Sequence, residues 1–514
     1  MVYAVCTSVY AVFRAALGRH IAWGFDRGPD SDNARLRICP HNKGQENAYY
    51  DKESGELIFG YYQAREDAAG MNLPSGWIYT CLSHDIVAHE VTHALLDGLR
   101  ANFALPVGRD VIAFHEAFAD LVAVFQHFSY DGVVLEAMRS SRGVLSQADA
   151  LTGLARQFGY TAARSSSDQV GRPLRSAIDD PKSPRQYSKN IEEPHELGSV
   201  LVSAVFAAFQ TVFERKTRRY FRIATGGTGV LQPGEISADL LAVLAEEASK
   251  LAGQFLKICV RAIDYCPPMD LTFGEFLRAV ITADRDLVPD DPWHYREAWI
   301  AAFGARKIYP DGVSSLSEDS LLWCPPERML AELNELSFAK LQFEGDPARP
   351  AGADELKRQA CVLGRTVLQP DLLPLLGLAA PGDPRLHGDH VDRPKIHSIR
   401  TSRRVGPDGQ IIFDLIAEIT QRREYRNPRG ARCDFYGGCT IVIGPRGDIR
   451  YLIRKSILKE DRRRRQEEFI EKAGRHYWDH TLTRVKPVAN LFALLHRDDT
   501  VRTNRGTDTA TGAP

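Results

Sequence analysis

His89 and His93 bracket a glutamate, Glu90, in the run HDIVAHEVTHALLDGL that occupies 84–99. Two residues four apart on a helix share a face, so the two imidazoles can converge on a single ion. Glu90 lies about 100° round the helix from its neighbour, where a carboxylate reaches a water on that ion without ligating the ion itself. The chemistry on offer is metal-assisted hydrolysis with Glu90 as the base. Two imidazoles do not complete a catalytic zinc site, which usually has three protein ligands and one open position. The run HEAFAD at 115–120 supplies the rest, because Glu116 and Asp120 are again four apart. Glu116 is the expected third ligand, and Asp120 the acceptor for the remaining N–H of a ligating ring. Both carboxylates stand among Phe114, Phe118, Leu121 and Val122, where a buried charge needs a partner such as a divalent cation. The plainer alternative is a buried polar cluster that holds no metal.

The elements that must carry these residues are legible from periodicity. The opening MVYAVCTSVYAVFRAALGRH has Val5, Val9, Val12, Phe13, Ala16 and Leu17 at helical spacing. ARLRICP reads as a short strand, and NAYYDKESGELIFGYY at 47–62 as a hairpin around a Lys-Glu-Ser-Gly turn. From about 82 to 303 the pattern is helical, with long segments at 111–128 and 197–221 separated by a Pro-, Asp- and Ser-rich loop at 171–194. The fold class expected is α+β: an N-terminal lobe over 1–110 that includes the histidine helix, then a helical lobe over 111–310. A connector is expected at 311–360. A small accessory α/β domain should follow at 361–480, with strands at 410–420 and 439–454 and a charged, solvated helix at 459–472. Residues 481–514 read as a tail, partly disordered. There is no internal repeat.

Bulk properties narrow the function classes. A chain of 514 residues exceeds the size at which one core keeps growing. Its 65 basic and 66 acidic residues nearly cancel, so no nucleic-acid partner is expected. Nine cysteines without C-x-x-C spacing read as reduced thiols, and the expectation is a cytoplasmic protein. The apolar start lacks a basic region before it, and no run of about 18 apolar residues occurs, so neither a signal nor a membrane span is expected. Oligomeric state is not legible.

HEVTH followed by HEAFAD resembles the gluzincin zinc metallopeptidases, specifically the thermolysin-like group. Further segments in the family's order carry the resemblance over roughly residues 2–310. ENAYYD is similar to the edge strand that pairs with substrate backbone, which implies peptide binding by Asn47 and Ala48. LRSAIDDP and QYSK resemble the segment bearing the arginine of the S1′ pocket, here Arg175 beside Leu174, with Ile86 implied as an apolar wall. PHELGS matches the place of the histidine that stabilises the oxyanion, here His195. The aspartate that orients this histidine is displaced, and Glu192 or Glu193 would replace it. His115 stands where the family has asparagine, and no tyrosine lies between His93 and Glu116, only Phe103 and Phe114. Asp85 matches a calcium ligand whose partner falls at His127, so the double calcium site is not expected.

The resemblance implies a thermolysin-like zincin domain, with one zinc between an α/β lobe and a helical lobe. It implies a zinc endopeptidase acting on peptides or unfolded proteins. Cleavage would fall before a bulky apolar residue, by attack of a zinc-bound water that Glu90 deprotonates, with His195 sharing the developing negative charge. An aminopeptidase of the same group is disfavoured, because its G-x-M-E-N type motif is absent. The alternative from another class is a catalytically weak or silent zinc-binding interaction module, making its contacts through 361–480. The chain begins inside the catalytic domain, so either the N-terminal lobe is trimmed or the start is truncated. In the second case secretion remains compatible with the sequence.

Overall fold

The structure is a computed structural model that describes residues 1–25, 35–44, 46–64, 73–148, 151, 153–154, 175–179, 183–326, 333–343, 345, 349, 351–405, 409–481 and 483–502. The first part of the chain runs α1 (Val2–Leu17), β1 (Arg37–Lys43), β2 (Ala48–Asp51), β3 (Glu56–Gln63), β4 (Trp77–Tyr79), α2 (His84–Leu99), α3 (Arg109–His127) and α4 (Asp131–Ser140). A two-stranded ribbon, β5 (Gly153–Leu154) and β6 (Arg175–Ser176), precedes α5 (Pro194–Ala224), α6 (Ala238–Ala262), α7 (Phe273–Leu287) and α8 (Tyr295–Ala305). The mixed α/β content agrees with the broad α+β class.

The N-terminal sheet has β3 at its centre. β1 pairs with it in parallel, β2 antiparallel on the other side, and β4 antiparallel at its far end. Among the described residues β2 is therefore an edge strand. Its turn is built by Asp51, whose Oδ1 accepts from the backbone N–H groups of Glu53 (2.9 Å) and Ser54 (3.3 Å), and by Gly55, whose φ of 67° is left-handed.

α3 is the axis of the helical part, with every residue from Val111 to Gln126 buried. α2 packs on one side of it and α5 on another. Close approach of α5 depends on Gly198: a Cβ there would stand 2.9 Å from the Ala113 carbonyl oxygen. α5 is long and apolar enough to cross a membrane, but 72% of its apolar window is buried inside the fold, as in a core helix.

The remaining chain contains α9 (Glu318–Leu321), α10 (Ala353–Val367), β7 (His390–Val391), β8 (Lys395–Val405), β9 (Ile411–Arg426), β10 (Arg432–Ile443), β11 (Ile449–Lys455), α11 (Glu460–Glu471), β12 (Trp478–His480), β13 (Val485–Pro487) and α12 (Leu491–Arg502). β7 to β11 form an antiparallel sheet in the order β11-β10-β9-β7, with β8 also on β9. The two-residue period of β9 and β10 divides the sheet's faces. Leu415, Ala417, Ile419, Cys439 and Ile441 pack with Leu363 and Val367 of α10 in a second apolar core. Glu418 and Thr440 alternate with them and meet the buried Arg100, whose guanidinium donates to Thr440 Oγ1 (3.0 Å), the Ile263 carbonyl (3.0 Å) and the Cys266 carbonyl (3.2 Å).

Two features differ from the sequence expectations. The accessory region is not set apart: Tyr425, Phe435, Ile453, Ile457 and Trp478 belong to the same apolar core as α1 to α8. The segment read as a tail carries β13 and α12, and Leu491, Phe492 and Leu495 of α12 are buried; residues 503–514 lie outside the described residues. The charged helix α11 also has an inward side. Arg462 is buried and donates to Asp270 Oδ2 (3.3 Å), with its guanidinium 4.1 Å from the centre of the Phe435 ring.

Candidate metal centre

α2 is buried along most of its length, so its polar residues from His89 to Asp97 face protein and not solvent. Asp85 sits in the first turn, where its Oδ1 accepts from the Ile86 backbone N–H (3.0 Å). One turn further, His89, Glu90 and His93 are all buried. The 3.6-residue period puts the two rings on one face, edge to face at 84°, and their Nε2 atoms come within 3.0 Å of one another. α3 presents Glu116 to the same point: Oε2 is 3.2 Å from His89 Nε2, and Oε1 is 3.7 Å from His93 Nε2.

Two further histidines converge on this carboxylate. His195, in the first turn of α5, places Nε2 3.0 Å from Glu116 Oε2. His496 of α12 places its own Nε2 3.4 Å from the same oxygen. His89, His93, Glu116 and His496 each bring a ligand atom into a group whose members all lie within 4.8 Å of one another, a set that could hold a metal ion.

The hydrogen bonds on the far side of the rings decide what faces the centre. His89 Nδ1–H donates to Asp120 Oδ1 (2.9 Å). His195 Nδ1–H donates to Glu193 Oε1 (3.0 Å), and His496 Nδ1–H to the Ala48 carbonyl (2.8 Å). Carboxylates and carbonyls only accept, so each ring carries its proton on Nδ1 and, when neutral, aims an Nε2 lone pair at Glu116. Lone pairs that converge on a carboxylate repel unless a cation or a set of protons lies between them. Glu116 Oε1 accepts no hydrogen bond among the described residues. The donor set therefore fits a metal: imidazole nitrogens and one carboxylate, with far sides already tethered.

Electrostatics in the metal-free state reflect the same crowding. Burial disfavours a charged His89, but the Asp120 and Glu116 carboxylates outweigh it and push the ring up to about 9. Burial holds His93 well below the usual imidazole range and takes His115 down to about 4. Burial alone would raise Glu116, yet His195, His93 and His496 hold it well below the usual carboxylate range. Protons and a metal would compete for the same atoms.

No protein-family model matches the sequence, and no curated protein matches it. The site's meaning rests on its geometry.

The structure brings together His89, Glu90, His93, Glu116, Asp120, His195 and Glu193. Glu193 also caps α5, accepting from the backbone N–H of His195 (2.9 Å). Asn47 and Ala48 lie at the start of β2 beside this cluster, and Asn47 Nδ2 donates to the Ala493 carbonyl (3.2 Å). Ile86 is partly buried on α2, against the main core. Arg175 pairs through its backbone with Leu154, while Leu174 lies outside the described residues. Nearby, Asp179 is bridged to Arg306 at 2.6 Å.

Sequence reasoning missed two histidines. His115 Nδ1 lies 3.3 Å from His93 Nδ1, packing behind the ligand ring. His496 was hidden in the segment read as a tail, although VANLFALLHR carries apolar residues at helical spacing, a signal strong enough for a helix.

Proposed function

We propose that this chain is a zinc-dependent peptidase of the thermolysin-like gluzincin type, cleaving internal bonds of peptides or unfolded proteins before bulky apolar residues. The observation that carries the reading is the meeting of His89, His93 and Glu116 at one point with Glu90 beside them and the Nδ1 of His89 spent on Asp120. Zinc is favoured over harder ions because imidazole nitrogens dominate the set. Its bonds of about 2.0–2.1 Å imply tetrahedral ligand separations of about 3.3 Å. The His89–His93, His89–Glu116 and His496–Glu116 separations of 3.0, 3.2 and 3.4 Å lie near that length, in a group whose ligand atoms all lie within 4.8 Å of one another.

When bound, zinc supplies Lewis acidity, lowering the pKa of water toward about 7 and polarising a carbonyl. Glu90 takes the proton of the attacking water and delivers it to the leaving amine. His195, with its Nδ1–H donated to Glu193, would in its doubly protonated form donate an Nε2–H hydrogen bond to the oxygen that becomes negative. The edge of β2 that does not pair with β3 is suited to hold a peptide extended.

One observation favours a second reading. A fourth protein ligand closes a structural zinc site, and His496 stands where it would do so, as in a silent interaction module. Metal content and cleavage of an unstructured protein, measured for the full chain, His496→Ala and Glu90→Gln/His496→Ala, separate the two. Cleavage that is chelator-sensitive and lost with Glu90 supports the peptidase. Metal retained in all three without cleavage in any supports the silent module.

A further inference from the structure

The C-terminal helix α12 touches each part of the site that a peptide substrate would need. His496 Nδ1–H donates to the Ala48 carbonyl on edge strand β2 (2.8 Å) and lies 3.3 Å from Glu90 Oε1, while its Nε2 joins the candidate ligand group. One turn earlier, the Ala493 carbonyl accepts from the Asn47 side-chain amide (3.2 Å). The Phe492 ring stacks on His93 with centroids 4.5 Å apart and also meets Tyr50 at 5.9 Å. Backbone edge, base and metal ligands are thus covered by three residues of one helix, Phe492, Ala493 and His496. The apolar run Leu491 to Leu495 gives this helix its own anchor, since Leu491, Phe492 and Leu495 are buried.

We propose that α12 is a cis-acting plug that keeps the centre latent: His496 takes the coordination position that water and substrate require, and the helix covers the strand on which a peptide would lie. Because the plug is part of the chain, its effective concentration at the site is on the order of millimolar, so a substrate must outcompete it or the helix must be displaced. Residues 488–490 between β13 and α12 are the short link about which that displacement occurs. The proposal rests on the metal-centre reading, and its catalytic consequence on the peptidase reading.

The test uses the full chain loaded with Co²⁺ in place of zinc, alongside His496→Ala and Phe492→Ala/His496→Ala. Two readouts are taken: the affinity for acetohydroxamate, followed by the visible cobalt spectrum, and the cleavage of an unstructured protein by the zinc forms. Both variants are expected to bind the hydroxamate at least tenfold more tightly than the full chain, and to cleave at least tenfold faster. Tighter hydroxamate binding without cleavage upholds the plug and removes the peptidase reading. A full chain that binds no cobalt, or that binds hydroxamate as tightly as both variants, overturns the plug.

Discussion

Asp120→Asn probes the link between α2 and α3 with little change in volume. Asp120 is buried, with Oδ1 2.9 Å from His89 Nδ1. Losing such an orienting carboxylate typically weakens a metal site about 10- to 100-fold, or about 1.4–2.7 kcal/mol. A second effect has the opposite sign. In the metal-free chain His89 is pushed up to about 9, so at pH 7 a proton must leave before the metal binds, which weakens binding roughly 100-fold. Removing the Asp120 charge lowers the ring's pKa and relieves part of that competition. The two effects therefore partly cancel near pH 7, and only the loss of orientation remains near pH 9. Zinc affinity measured by chelator competition should show a wild-type to Asp120→Asn ratio of about 10–100 at pH 9 and a smaller ratio at pH 7. Equal affinities at both pH values would refute the reasoning, as would a variant that binds more tightly at pH 9.

Arg100→Ala should destabilise the chain by about 3–5 kcal/mol in urea titration, because it removes the donors to the Ile263 and Cys266 carbonyls and leaves Glu418, 3.5 Å away in the buried seam between α2 and the C-terminal sheet, with only Arg400 at 3.9 Å. Phe492→Ala removes a buried ring and should cost about 3–5 kcal/mol of α12 docking, read as lost hydrogen-exchange protection at 491–496 with β9 and β10 unchanged. His115 is depressed to about 4 from an unfolded value near 6.5, so it contributes stability that is present above pH 6.5 and lost as the pH falls through 4. His115→Phe should make the metal-free chain's melting temperature less sensitive to acidification over that window, and an unchanged slope would contradict the assignment.

The two helices of the candidate metal centre were legible because both residue pairs are local: the candidate ligands His89 and His93, and the candidate ligand Glu116 with the tethering Asp120, are each set by one helical turn. Pairing α2 with α3 required the assumption that helices adjacent in the chain pack together. His195 came from a motif comparison, and Gly198 three residues later is the physical reason it reaches Glu116, since only glycine lets α5 come so near α3. His496 was not legible in the same way. It is 380 residues from Glu116, and no local period relates the two. The shared core of the first 310 residues and the C-terminal sheet was hidden likewise, because Glu418 and Thr440 lie 318 and 340 residues from Arg100 and no local pattern relates them.

Zinc K-edge absorption on the purified full chain tests the central claim most directly. The account predicts one zinc per chain with three imidazoles and one carboxylate at about 2.0–2.1 Å and no sulfur, and one imidazole fewer in His496→Ala. Sulfur in the first shell, or a chain that binds no metal at the site, would contradict it.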